Sequence, residues 1–269
     1  MSQSKTDPTV CCVMLTADRP ELARRAVECF RRQTYSAKQL LIWDTSNVTD
    51  FGLMGGSGLM MHAHAKEWRG QTVGELRNAA CAHFTRNKVT PPDIFVTFDD
   101  DDYSHPNRIA EQVALLQSSG ADCVGYREML FWRHGEPERY GEISDLEPAR
   151  LGEVWLYFNR DPRYCLGTSL CYWRKTWERK PFEATSQGDD HLFTLGLKCV
   201  SVTSIFDVHN DPYIDVLPNG EADKTPRMIA RIHAGNTSNA YDPADMRKAS
   251  EWKRVPEWDS HARWIMEGK

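Results

Sequence analysis

Short apolar runs alternate with amphipathic stretches through the first half of the chain. The apolar runs predict buried strands at residues 10–15, 39–43, 94–98 and 122–126. Between them, apolar residues recur at helical spacing and predict helices at 21–33, 72–84 and 107–117. Strands that alternate with helices in this way are typical of a mostly parallel central sheet flanked by helices. We therefore expect an α/β fold.

The pattern changes after about residue 127. Strand-like pieces rich in aromatic residues follow at 127–133, 153–158 and 165–173. A helix at 189–197, a strand at 199–203 and two short helical stretches after about 240 complete the chain. No linker or repeat separates these pieces. We expect a single domain, 1–269, whose first half (10–126) continues into an α+β second half (127–269) with a helical tail.

Composition adds limits on class and location. The chain has 269 residues, of which 41% are hydrophobic and 26% charged, as is ordinary for globular proteins. No apolar stretch approaches the roughly 20 residues that span a bilayer, and residues 1–9 are polar, so we expect a cytoplasmic protein. The net charge of −5 argues against a general nucleic-acid coat, although it leaves a local basic groove open.

Eight cysteines lie mostly within apolar segments, and no two of them form a Cys-x-x-Cys pair. This pattern favours reduced core thiols over a disulfide or zinc framework. His62 and His64 lie two residues apart, so they share a face if the segment is a strand, but the pair alone does not favour a metal site.

Four consecutive carboxylates, Asp99 to Asp102, directly follow the apolar run at 94–98. The carboxyl ends of strands are where open α/β sheets bind ligands. Neighbouring like charges repel, and a cation removes that penalty; oxygen-only ligands suit Mg²⁺ or Mn²⁺. A solvated acidic turn before the next helix is the simpler alternative. The position behind a strand favours the metal site.

Five segments together resemble the family-2 glycosyltransferases of the GT-A fold. They are LTADRP at 15–20, WDTS at 43–46, GELRN at 74–78, FDDDD at 98–102 and GDDHLF at 188–193. Their order and spacing match that family from residue 10 to about 200. The resemblance implies a GT-A-type fold and a metal-dependent, inverting transfer of one sugar from a nucleotide-sugar, by default a UDP-sugar, to a hydroxyl acceptor. Residues 10–126 would then bind the nucleotide-sugar and 127–269 the acceptor.

The resemblance also implies roles for residues around the nucleotide. Thr16, Ala17 and Arg19 would line the nucleotide pocket at the end of the first strand. Asp44 would meet the base, and Arg77 would approach the base or the phosphates.

The acidic run corresponds to the Asp-x-Asp motif of the family. By resemblance, Asp99 lies near the ribose and the Mn²⁺ or Mg²⁺ ion, and Asp101 coordinates the ion that bridges the two phosphates. Asp100 and Asp102 would contact the donor, with Asp102 near its sugar. His233, in a segment at 231–238 that resembles a late family segment, would complete the metal shell, although a structural histidine is the alternative.

A base must accept the acceptor's proton during transfer. The family places it second in a Glu-Asp pair, which here reads Asp189-Asp190. Asp190 is therefore the predicted base and Asp189 a predicted donor-binding residue. The alternative is that both are N-terminal helix residues favoured by the helix dipole.

The acceptor stays open at this stage. A saccharide or glycoconjugate is one prediction. A second is hydroxymethylated pyrimidines of viral DNA, for which the nine tryptophans and the basic stretch at 127–139 could supply stacking and phosphate contacts. A third interpretation, a sugar-phosphate nucleotidylyltransferase, is weaker, because residues 15–20 lack the Gly-rich, Lys-containing loop that such enzymes typically carry.

Overall fold

The computed structural model describes residues 7–47, 60–87, 89–133, 152–205, 225–232 and 250–267. In this part of the chain, eleven strands form one sheet. The strands are β1 (Val10–Thr16), β2 (Lys38–Asp44), β3 (Met60–His64), β4 (Ile94–Thr97), β5 (Tyr103–Ser104), β6 (Cys123–Arg133), β7 (Val154–Phe158), β8 (Cys171–Trp173), β9 (Cys199–Thr203), β10 (Met228–Ile232) and β11 (Trp252–Arg254). The helices are α1 (Pro20–Arg31), α2 (Val73–Arg86), α3 (Arg108–Ser119), α4 (Arg174–Arg179), α5 (Asp189–Thr194) and α6 (Asp259–Glu267).

The first half contains the predicted parallel layer. Strands β3, β2, β1 and β4 lie side by side in that order, and all three pairs are parallel. Alternate residues of β1 face opposite sides of the sheet. Cys12 and Met14 pack with Phe30 of α1, whereas Cys11 and Val13 pack on the other side in the cluster that includes α2. Both faces of β1 are covered, which is why its sequence is a continuous apolar run.

The second half adds antiparallel strands, so the sheet as a whole is mixed. Strand β8 lies between β4 and β6 and is antiparallel to both. Strand β6 also pairs antiparallel with β7 and parallel with β9 and β10. The predicted α/β fold with an α+β second half is confirmed. The predicted boundary at 126 falls inside β6, so the two halves share a strand.

Three element boundaries differ from the sequence predictions. The pieces at 122–126 and 127–133 form one strand, β6, because the half-buried Arg127 and Glu128 interrupt its apolar pattern without interrupting its pairing. The piece at 165–173 is a strand only at β8, after a 3₁₀ turn at Gly167–Ser169. Helix α5 ends at Thr194 rather than at 197, and Gly196, two residues after its end, takes a left-handed φ of 80°.

The parallel layer brings three of the five predicted site segments to one edge. The carboxyl ends of β1, β2 and β4 are neighbours, so the loops that follow Thr16, Asp44 and Thr97 lie together. None of the helices in the described ranges is both long enough and apolar enough to cross a membrane.

Candidate functional site

The end of β1 holds the acidic run directly. Thr16 Oγ1 donates a hydrogen bond to Asp100 Oδ2 at 2.6 Å. The Arg19 guanidinium pairs with Asp100 Oδ1 at 2.7 Å and with Asp101 Oδ2 at 3.2 Å. The structure therefore joins Thr16 and Arg19, both predicted from the first segment, to the carboxylates predicted roughly 80 residues later.

Burial alternates along the four carboxylates. Asp100 and Asp102 are buried, whereas Asp99 and Asp101 are partly exposed. Asp102 accepts hydrogen bonds from the Thr168 hydroxyl and, at 2.9 Å, from the Arg231 backbone N–H. Asp99 forms no hydrogen bond or ion pair with any other residue that the structure describes. Asp100 and Asp102 are thus buried and held by protein partners, Asp101 is partly exposed and paired with Arg19, and Asp99 is partly exposed.

The buried carboxylates are electrostatically crowded. Burial raises the pKa of Asp100 to about 7; the Arg19 charge opposes the shift, and the Asp101 charge adds to it. Burial also raises the pKa of Asp102 well above its usual range, and the charges of Asp101 and Asp99 act in the same direction. Cations close to the run would relieve this repulsion, which fits a cation-binding segment.

Arg108, which the sequence predictions missed, donates hydrogen bonds to the segments on either side of the acidic run. Its buried side chain donates to Thr97 O at 2.7 Å, Thr168 O at 3.0 Å and Ser104 Oγ at 2.8 Å. It therefore fixes the end of β4 and the loop whose Thr168 holds Asp102. No sequence signal marks it, since an arginine in the first turn of an amphipathic helix is usually a solvated residue.

Asp44 is buried at the end of β2. Its fully buried carboxylate accepts from the Ser46 N–H at 2.8 Å and lies 3.0 Å from His62 Nε2. His64 Nε2 lies 2.9 Å from Ser46 O. The two histidines thus lie on one face of β3, as predicted for a strand, and both contact the turn that follows β2. The contact between Asp44 and a nucleotide base stays a prediction.

The turn between β1 and α1 contacts the turn that follows β2. Asp18 takes a left-handed φ of 54°, unusual for a residue with a side chain. Its N–H donates to Ser46 Oγ at 2.7 Å, and its carboxylate pairs with Arg69 at 2.7 Å. These contacts hold the half-buried Ala17 at the position predicted to line the nucleotide pocket.

Arg77 and Asp189 form a buried ion pair between α2 and α5. Arg77 Nε lies 3.1 Å from Asp189 Oδ2, and the two side chains are 10% and 8% exposed. Burial raises the pKa of Asp189, with Arg77 opposing the shift. Burial disfavours the Arg77 charge, but the carboxylates of Asp189 and Asp99 outweigh it and raise the pKa of Arg77. Arg77 and Asp189, both predicted to bind the donor, thus pair with each other.

Asp190 differs from Asp189. It is partly exposed, and its carboxylate forms no hydrogen bond or ion pair within the described ranges. It packs against the backbone of Gly167, where an added β-carbon would lie 2.5 Å from Asp190 Oδ2. The Gly167 carbonyl is itself fixed by the Thr97 hydroxyl at 2.8 Å. Asp190 therefore offers a carboxylate without a partner in the described ranges, held against a backbone segment that is itself fixed by a hydrogen bond.

The acidic run fits a divalent ion as a partial ligand set. Asp99 and Asp101 offer the carboxylate oxygens that Mg²⁺ and Mn²⁺ prefer. In the described part of the chain, the acidic run supplies no three candidate ligands close enough to share one ion. A two-carboxylate site is the form in which phosphates and water complete the shell. His233 lies outside the described residues, so its predicted role as a ligand stays a prediction.

No protein-family profile matches the sequence, and no curated protein sequence matches it either. Solved structures do match. TarS 1-349 from S. aureus in complex with UDP-GlcNAc has a TM-score of 0.55 at 13% identity, over 96% of this chain and 70% of that chain. A mannosyltransferase from Pyrobaculum calidifontis, PcManGT, in complex with GDP-Man and Mn²⁺, has a TM-score of 0.53 at 14% identity, over 98% and 73%.

A third similar structure is GalNAc-T7 with UDP, GalNAc and Mn²⁺, with a TM-score of 0.53 at 12% identity, over 74% of this chain and 43% of that chain. The chain spans 60% of the length of another TarS 1-349 structure from S. aureus. At these identities the likeness is one of fold. The predicted architecture is confirmed: the chain has the fold of the GT-A glycosyltransferases.

Proposed function

We propose that this protein is a metal-dependent glycosyltransferase that moves one sugar from a nucleotide-sugar to a hydroxyl group, with inversion at the anomeric carbon. One observation carries the proposal. Four consecutive carboxylates follow β4 at the carboxyl edge of a GT-A sheet, Asp101 pairs with the partly exposed Arg19, and neither Asp99 nor Asp190 forms a hydrogen bond or ion pair through its carboxylate among the described residues.

Asp99 and Asp101 would hold a Mn²⁺ or Mg²⁺ ion. When bound, such an ion neutralises the charge that develops on the leaving diphosphate. Thr16, through Asp100, and Thr168, through Asp102, keep the run in place. The similar structures that contain UDP-GlcNAc, or GDP-Man with Mn²⁺, support a nucleotide-sugar and a divalent ion as the ligands.

Asp190 would accept the proton of the attacking hydroxyl. A carboxylate without internal partners is ready to take a hydrogen bond from a substrate hydroxyl. Attack from the side opposite the leaving group inverts the anomeric carbon. Asp189, paired with Arg77, would fix the start of α5 and so orient Asp190.

We propose a UDP-sugar as the donor, bound by residues 10–126, with Thr16, Ala17 and Asp44 around the nucleoside. The acceptor, on the side of 127–269, would be a saccharide or glycoconjugate, and the reaction cytoplasmic. The DNA acceptor stays a prediction, because the basic stretch at 127–139 lies partly outside the described residues. The similar mannosyltransferase with GDP-Man favours sugar transfer over the nucleotidylyltransferase alternative.

Donor binding is tested by thermal shift with Mn²⁺ across UDP-, GDP- and dTDP-sugars. A ligand at 100 times its Kd stabilises the native state by about 2.7 kcal/mol, an easily measured shift. We expect a shift only when metal and donor are both present, and its loss in Asp101→Asn. A donor-induced shift that needs no metal, or none with any donor, contradicts the proposal.

The base is tested by Asp190→Asn with His191→Ala as its control, since His191 is the exposed next residue of α5. The amide introduced by Asp190→Asn cannot accept the proton, so we expect transfer to fall by about 10²–10⁴-fold, the usual contribution of general acid–base catalysis. The donor-induced thermal shift should persist. His191→Ala should keep both. Unchanged transfer in Asp190→Asn rules out Asp190 as the base.

A further inference from the structure

Three cysteines from three separate segments meet in the core behind the candidate site. Cys123 opens β6, Cys199 opens β9, and Cys165 lies before the 3₁₀ turn at Gly167–Ser169. Cys123 and Cys199 are direct partners in the parallel pairing of their strands. The three sulfurs all lie within 4.8 Å of one another, and Cys123, Cys165 and Cys199 are 0%, 1% and 6% exposed.

This convergence is unusual among the cysteines of the chain. Cys123, Cys165 and Cys199 are the one set of three potential metal ligands that the described ranges bring this close together. All eight cysteines are free thiols, and cysteines such as Cys12 and Cys81 are buried without joining such a group. Burial alone therefore does not account for this grouping, since other buried cysteines do not share it.

The spacing suits a thiophilic ion. A zinc–sulfur bond is about 2.3 Å, so thiolates that share one ion lie roughly 3.8–4.0 Å apart. The cluster needs to contract by less than about 1 Å to reach that spacing. Thiolates select Zn²⁺ or Cu⁺, whereas the carboxylates of the acidic run suit Mg²⁺ or Mn²⁺. The two sets of ligands would therefore not compete for the same metal.

We propose that Cys123, Cys165 and Cys199 form a buried three-thiolate site for a thiophilic ion, either Cu⁺ held by the three sulfurs alone or Zn²⁺ with a fourth ligand such as water. The thiols release their protons when the ion binds, and no oxidant or reductant is required. The inference is independent of the proposed transfer reaction, since it uses none of the residues assigned to that reaction.

The position of the cluster gives such an ion a structural consequence. Cys165 lies two residues before Gly167, which supports Asp190. Cys199 Sγ lies 3.7 Å from the carbonyl oxygen of Thr194, the last residue of α5. Because the Cys199 thiol would lose its proton on binding, its hydrogen bond to Thr194 would be lost; the ion would instead tie β6 and β9 to the segment that carries the turn at Gly167–Ser169, against which Asp190 packs.

The test is metal binding by the full chain, purified under reducing conditions and stripped of metal with a chelator. One arm titrates Co²⁺, as a spectroscopic substitute for Zn²⁺, and follows the thiolate-to-metal charge-transfer band. The other arm adds Cu⁺ against a colorimetric Cu⁺ chelator. We expect one equivalent bound per chain in at least one arm, and the arm that binds identifies the ion.

Cys165→Ala and Cys199→Ser each remove one ligand, and Cys81→Ala removes a buried thiol outside the cluster. We expect both cluster variants to lose stoichiometric binding and Cys81→Ala to retain it, with circular dichroism confirming the fold of each. Failure of the wild-type chain to bind in both arms overturns the proposal. So does a charge-transfer band that survives in either folded cluster variant. Mn²⁺-dependent donor binding, measured separately, reports on the proposed function alone.

Discussion

The carboxylate of Asp190 lies against the backbone of Gly167, so close that a β-carbon at position 167 would come within 2.5 Å of Asp190 Oδ2 and 2.7 Å of its Cβ. The carbonyl of the same glycine accepts hydrogen bonds from Thr97 at 2.8 Å and Arg77 at 3.4 Å. Gly167 is held on one side by β4 and α2 and leaves room on the other for Asp190. The placement of Asp190 therefore depends on the absence of a side chain at position 167.

Gly167→Ala tests that dependence. The added methyl group must displace the Asp190 carboxylate, because real β-carbons do not approach other atoms this closely. Displacement of a catalytic group by about 1 Å can lower a rate about 10²-fold, so we expect a loss of that order in sugar transfer. Steady-state kinetics with the donor found by thermal shift gives the measurement.

The control for Gly167→Ala is donor and metal binding, which Asp99 and Asp101 would carry and which should be retained. A variant that transfers sugar at the wild-type rate would show that the position of Asp190 is irrelevant to the reaction.

The ion pair of Arg77 and Asp189 predicts a strongly non-additive pair of substitutions. Arg77→Met leaves the Asp189 carboxylate buried without its cation, which typically costs about 3–5 kcal/mol of unfolding free energy. Replacing both, as Arg77→Met with Asp189→Leu, removes the uncompensated charge and should recover much of that loss. Urea unfolding of the two single variants and the double variant measures the coupling. Additive losses contradict the pairing of these two side chains.

Arg108→Leu should destabilise the protein more than removal of an exposed arginine. The substitution leaves the carbonyls of Thr97 and Thr168 without their donor, and each unsatisfied buried group costs about 1–3 kcal/mol. For the two carbonyls together we expect a loss of roughly 2–6 kcal/mol in urea unfolding. Arg24→Leu, which breaks a surface pair with Glu21, should cost less than about 1 kcal/mol. Equal losses of unfolding free energy in the two variants would mean that the hydrogen bonds of Arg108 do not stabilise this region.

The raised pKa of Asp100 predicts the sign of a pH dependence. An acid whose pKa is about 7 in the folded protein and near 3.8 in the unfolded chain keeps its proton only when folded between those values. The folded state then binds more protons, so the contribution of Asp100 to stability falls as the pH rises from about 4 to 7. Above about pH 7 the contribution is constant.

Urea unfolding of the metal-free protein at about pH 4.5, 6 and 7.5 measures this trend against Asp100→Asn, which cannot titrate. The wild-type chain should lose stability relative to the variant as the pH rises across that range. A difference between the two proteins that does not change with pH would show that Asp100 keeps its ordinary pKa.

The sequence was sufficient for the elements that a single physical pattern specifies. Strands β1 and β4 are buried on both faces, so their apolar runs are unambiguous, and the parallel layer follows from the helices between them. The same layer brings Thr16 to Asp100. The sequence predicted a parallel sheet but not that β1 and β4 are neighbours, so this contact was not predicted.

Contacts set by strand register could not be predicted. His62 reaches Asp44 because β3 pairs with β2, and nothing in the local sequence specifies that pairing. Arg108 likewise tolerates burial only because carbonyls from two distant segments converge on it. The length of β6 was also missed, because its polar residues interrupt the apolar pattern. The strand is nevertheless continuous, since it pairs with several neighbouring strands.

The double pairing of Arg19 has a consequence for how a metal would enter. Its guanidinium already serves as the counter-charge of Asp101 through Oδ2. If the proposed function holds, a divalent ion that took this same oxygen would displace the guanidinium, and loading would exchange one cation for another. The freed guanidinium, still held by Asp100, would then be available to the incoming diphosphate, which would couple arrival of the ion to arrival of the nucleotide.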